Sequence, residues 1–99
     1  MAKKSVKAKI CWIPMEQGGR STPPPVGTRF CPLVIFENIE EKGTWSADFI
    51  CTEVDEQLCS IVEFGYLVEN APIQNLKKGN RFSLFEGPHL VAKGEVLEE

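Results

Sequence analysis

Apolar residues recur at every second position over most of the chain, the period of a β-strand rather than a helix. In the run Val6-Lys7-Ala8-Lys9-Ile10-Cys11-Trp12-Ile13, one face carries Val6, Ala8, Ile10 and Trp12, and the other carries Lys7 and Lys9. Pro14 lacks an N–H and ends the pairing. A continuous apolar run, Leu33-Val34-Ile35-Phe36, predicts a strand covered on both faces. Trp45, Ala47, Phe49 and Cys51 then alternate with Ser46, Asp48 and Ile50. Leu58 to Val68 predicts a long strand with Val62, Phe64 and Tyr66 in phase, and Gly65 marks a bend or bulge within it.

The last third repeats the pattern. Leu76-Lys77-Lys78-Gly79-Asn80 turns the chain into Arg81–Glu86, and Gly87-Pro88 joins that strand to 89–97 as a hairpin. Leu90, Ala92, Gly94 and Val96 fall on one face of the final strand. Six strands result, with at most a turn of helix at 55–59 or 73–77. Strands punctuated by Gly and Pro turns predict an all-β sandwich or barrel.

Two polar segments carry more than punctuation. The loop Gly18-Gly19-Arg20-Ser21-Thr22-Pro23-Pro24-Pro25-Val26-Gly27-Thr28-Arg29 follows the first strand. Gly18-Gly19 permits positive φ at the strand exit, and three prolines stiffen the middle. Arg20 and Arg29 are planar donors suited to loop carbonyls or a carboxylate. The second segment is Gly79-x-Arg81-Phe82-x-Leu84-x-Glu86-Gly87, followed by Val91-Ala92-x-Gly94-x-Val96. The two motifs stand near opposite ends of the chain. In order and spacing they resemble the first long loop and the final hairpin of the C-terminal domain of elongation factor Tu. The stretch 37–58 matches only in pattern and charge.

That resemblance implies a closed six-stranded antiparallel Greek-key barrel, here a stand-alone domain spanning 1–99. In that family the barrel packs on the nucleotide-binding domain and the exchange factor, and touches the T-stem of aminoacyl-tRNA. Arg20 and Thr22 occupy positions matching the family's loop. The chain departs at the hairpin turn, where Glu86-Gly87-Pro88-His89-Leu90-Val91 stands in place of E-G-G-R-T-V. It also has Phe30-Cys31 ahead of Pro32, where the family has Arg-Pro. These departures fit a scaffold that kept its architecture and changed its partner.

Composition changes this picture little. At 99 residues, 42% hydrophobic and 25% charged, the chain is of ordinary globular make-up. It is long enough to bury roughly 65% of its unfolded surface. With neither an apolar signal core nor a run long enough to span a bilayer, a soluble cytoplasmic protein is expected, without membrane contact. The net charge of −3 is uneven: residues 1–35 sum to +5, residues 36–75 to −8, and residues 76–99 to 0. Either opposed faces or a mixed surface follows; closed β-folds interleave distant segments, which favours mixing.

Candidate chemistry is sparse. Cys11, Cys31, Cys51 and Cys59 show no C-x-x-C spacing, so no metal site is expected. Without an export signal we read all four thiols as reduced, with Cys11 and Cys51 acting as small buried hydrophobes. Glu53-x-Asp55-Glu56 and Glu40-Glu41 lack a calcium loop. There is no G-x-x-x-x-G-K-[ST] phosphate loop, so no nucleotide or other cofactor is expected. His89 is the sole histidine, and nothing in the spacing pairs it with a thiol. The expected function is therefore non-catalytic binding of a protein partner, with Arg20, Thr22, Arg29 and His89 as candidate contacts. The alternative is an RNA-binding module using Lys3, Lys4, Lys7, Lys9 and the 18–29 loop.

Overall fold

The computed structural model describes residues 5–14, 23–37 and 45–99. The strands are β1 (Ser5–Trp12), β2 (Arg29–Phe30), β3 (Leu33–Phe36), β4 (Trp45–Ile50), β5 (Cys59–Tyr66), β6 (Arg81–Glu86) and β7 (His89–Glu98), with one 3₁₀ turn at Ile73–Asn75. All pairings are antiparallel. Six strands close into a barrel in the order β4-β3-β6-β7-β1-β5, with β5 returning to β4. β3, β4 and β5 form a meander and β1 lies on the far side of β5, which is a Greek key. The all-β, closed six-stranded antiparallel barrel expected from the sequence is the observed architecture.

β2 is a short strand outside that ring and, among the described residues, pairs only with β4. Its register, Arg29↔Ile50 and Phe30↔Phe49, continues directly into Leu33↔Ser46 and Val34↔Trp45 of β3. Pro32 interrupts the ladder because it has no N–H to donate, though its carbonyl still accepts from Ala47 N–H at 2.7 Å. β2 and β3 therefore follow one line along β4, and Cys31 falls opposite Asp48.

Alternation decides the interior. β1 buries Val6, Ala8, Ile10 and Trp12 and turns Ser5, Lys7 and Lys9 to solvent. β5 buries Val62, Phe64 and Tyr66. The central stack runs Phe49–Phe64–Phe82, with ring centroids 5.7 and 4.4 Å apart. Trp12 and Phe30 extend it at one end; Phe36, Tyr66 and Trp45 extend it at the other. Every aromatic residue except Phe85 belongs to this chain of contacts. Gly94 makes the closest part possible. A β-carbon there would lie 2.4 Å from Phe82 Cζ and 2.8 Å from the Lys9 carbonyl oxygen.

Several local expectations change. β3 is covered on one face only among the described residues: Val34 and Phe36 are buried while Ile35, in the opposite phase of the strand, is exposed. β5 starts at Cys59, not Leu58, and its register with β1 runs unbroken through Gly65. The irregularities lie in β7. Leu84 pairs Ala92 but Phe85 pairs Leu90, so Val91 is an extra residue. That bulge turns both Val91 and Ala92 inward and takes Leu90 off the core face. The hairpin turn Gly87-Pro88 forms as expected, with φ 57° at Gly87. A positive φ followed by proline is the II′ pattern that suits strand twist.

Candidate functional site

The sequence candidates separate in space. Arg20 and Thr22 lie outside the described residues, as do Lys3 and Lys4. His89 opens β7 beside the turn, exposed and opposite Glu86. Arg29 is committed to Asp48. Its Nε donates to Asp48 Oδ1 at 2.8 Å and its second guanidinium nitrogen to Oδ2 at 2.8 Å. This two-pronged geometry is the strongest form of an arginine–carboxylate contact. Asp48 holds the guanidinium charged well above its ordinary range, first through the hydrogen bond and then through its charge. The pair links β2 to β4 across Cys31, so Arg29 acts as a tie between strands, one of the two roles its chemistry suggested.

Cys31 is an exposed free thiol that donates to Asp48 Oδ1 at 3.7 Å. Partial burial, then the Asp48 charge, pushes the thiol up from its usual range. That is opposite to the depressed value of a reactive nucleophile.

The largest departure from the sequence reading is at Cys11 and Cys59, which are disulfide-bonded, with Cα atoms 4.0 Å apart. Cys31 and Cys51 are not disulfide-bonded. Cys11 is also not a core residue; it shares the outward face of β1 with Lys7 and Lys9 and is half-buried. The signal was present in the alternation, since Cys11 is out of phase with Val6, Ala8, Ile10 and Trp12. Its partner was not legible, because pairing depends on the β1–β5 register, Cys11↔Cys59.

The chain reaches Cys59 through a tight acidic turn. Asp55 Oδ1 accepts from Gln57 N–H at 2.8 Å and from Cys59 N–H at 3.0 Å. Its own N–H donates to the Cys59 carbonyl, and its carbonyl accepts from Leu58 N–H. The hydrogen bond from Cys59, then that from Gln57, holds the pKa of the Asp55 carboxyl below its usual value. Leu58 closes the turn at φ 64° and is the one non-glycine with positive φ among the described residues. Val54, Asp55, Glu56 and Gln57 line a shallow surface depression beside it.

No family model matches the chain, and no curated protein matches it.

The charge pattern is resolved by register. Lys7 stands between Glu63 of β5 and Glu98 of β7, and Lys9 stands opposite Glu95. Arg81 Nε approaches Glu95 Oε1 to 3.6 Å. The basic first strand is thus interleaved with acids from distant segments, as closure of the sheet requires. Apolar side chains nevertheless remain on the outside. Val26 is 63% exposed, Ile50 50% and Ile61 45%. Gly27 N–H donates to the Cys51 carbonyl, and Thr52 Oγ1 donates to the Ile61 carbonyl at 2.8 Å. These contacts bring the segments bearing Val26, Ile50 and Ile61 alongside one another, next to the acidic turn. Among the described residues no group of three or more His, Cys, Asp or Glu could hold a metal ion.

Proposed function

We propose that this barrel is a non-catalytic module that binds a protein partner through its outer surface. The observation that carries the reading is the exposure of Val26, Ile50 and Ile61 next to Glu53 and Glu56. Branched apolar side chains that a closed sheet leaves in water are stabilised when a partner covers them. Acids around them speed encounter with a basic surface. The elongation factor Tu-like motifs fit the same reading, since that barrel acts by packing on other proteins.

RNA binding is less well supported by the same surface. RNA recognition draws on exposed aromatics for stacking, and here the aromatics fill the interior. Lys7 and Lys9 have acidic neighbours on the ladder, which weakens their pull on a phosphate backbone.

The test is crosslinking and affinity capture from native lysate with the full chain and with Ile50→Lys/Ile61→Lys. A partner captured by the wild type and lost with the double variant supports the reading. Equal capture by both proteins sinks it. Filter binding with tRNA at low salt is the companion assay. Binding that weakens with salt and with Arg20→Ala establishes the RNA alternative.

A further inference from the structure

Cys11 and Cys59 occupy a non-hydrogen-bonded position of the β1–β5 ladder, because the adjacent Trp12 N–H donates to the Leu58 carbonyl at 2.9 Å. At such positions facing side chains come closest across an antiparallel pair. The two residues are not equally exposed. Cys11 is half-buried on the outward face, whereas Cys59 is buried at 8% exposure under the acidic turn. The turn converges on Cys59: its N–H and carbonyl both bond Asp55, and Leu58 before it holds a backbone region that a β-carbon disfavours.

We propose that the Cys11–Cys59 pair is a redox-responsive site, where exchange with a low-molecular-weight thiol such as glutathione releases the 52–58 turn from β1. The incoming thiolate attacks Cys11 Sγ, on the more exposed of the two residues. The S–S bond breaks, Cys59 leaves as a thiolate and takes a proton from water, and Cys11 carries a mixed disulfide. A second thiolate attacks the small-molecule sulfur of that mixed disulfide. Cys11 then leaves as a thiolate and the small-molecule disulfide departs, so two electrons pass from two thiols to the protein. Oxidised glutathione reverses both steps.

Once the bond opens, the Leu58 backbone is free to leave its left-handed conformation, which separates Asp55 from the Cys59 and Gln57 amides. Glu53, Val54 and Glu56 ride on this turn, so the exposed surface beside Ile61 changes shape. The two cysteines outside the disulfide do not supply this behaviour: Cys51 is buried, and Cys31 lies on β4's other side against Asp48. The proposal does not depend on the protein-binding reading above.

The experiment uses the full chain in buffers of graded reduced-to-oxidised glutathione ratio. Thiol labelling with mass spectrometry reads the bond, and amide hydrogen exchange reads the turn. In oxidising buffer a linked Cys11–Cys59 peptide is expected, with Gln57 and Cys59 amides protected. In reducing buffer both cysteines label, and these two amides exchange at least tenfold faster with little dependence on low urea, the mark of a local opening, while Phe82 and Leu84 on β6 keep the steep urea dependence of global unfolding. Cys11→Ser should show the fast amides even in oxidising buffer; if it does not fold, the reduced wild type provides the same measurement. Three results overturn the proposal: no linked peptide at any ratio, unchanged protection at 57 and 59 after opening, or acceleration at 57 and 59 that carries the same urea dependence as Phe82 and Leu84.

Discussion

Gly94 shows how narrowly single positions are constrained. It pairs Phe82 on one side and Ile10 on the other, and the Phe82 ring fills the space where a side chain would be. Gly94→Ala must displace that ring or the Lys9 backbone. A loss of about 1–3 kcal/mol is expected from urea denaturation, the usual scale for overpacking. Phe64→Ala opens the opposite defect by removing the middle of the aromatic stack, with an expected cost of about 3–5 kcal/mol. Asp55 is governed by protonation. Its folded carboxyl is more acidic than the unfolded one, whose value is about 3.9. Between the two values the folded chain binds fewer protons, so the contribution to stability is complete above the unfolded value. It is lost as pH falls through the depressed folded value. Protection of the Gln57 and Cys59 amides, corrected for intrinsic exchange, should therefore fall below about pH 4. Asp55→Asn should flatten that pH dependence.

At the scale of elements, the cross-link between β1 and β5 dominates. It closes a sequence separation of 48 residues. In the chain-entropy description a loop of that size stabilises the fold by about 4 kcal/mol, through the unfolded ensemble it removes. Paired urea titrations with and without reductant should give unfolding free energies that differ by that order in the oxidised protein's favour. The β6–β7 hairpin behaves differently, because its geometry is local. Gly87 supplies the positive φ, Pro88 fixes the next residue, and the Val91 bulge corrects the face of the strand. Gly87→Ala places a β-carbon in a left-handed position and should cost about 1–2 kcal/mol.

At the scale of the whole molecule, stability rests on closure. β1 pairs with β7 through contacts such as Lys7↔Glu98, and β4 pairs with β5 to complete the ring. These partners are far apart in sequence, so loop entropy is lost before the contacts form. Stopped-flow refolding should fall in the millisecond-to-second range of non-local β-topologies. A chain ending at Glu95 loses Val96 from the core and its pairing with Ala8. That truncation should abolish the cooperative unfolding transition. Closure also sets the surface charge. It places the acids of β5 and β7 beside the lysines of β1, which is why a sequence that is basic at its start and acidic in its middle has no uniformly basic strand.

Alternation determined where the long strands run and, in β1, which side chains fill the interior: Val6, Ala8, Ile10 and Trp12 could be read as a buried face because a strand's side chains must alternate. Gly87-Pro88 fixed its hairpin for the same local reason. The tertiary structure decided everything that depends on register between distant strands. It set Cys11 against Cys59 rather than leaving four separate thiols. It gave Arg29 to Asp48, and it left Ile35 exposed in a run that looked doubly buried. A sequence specifies the period of each strand, but the choice of neighbour emerges only when the barrel closes, and the pairings that define this surface are of that second kind.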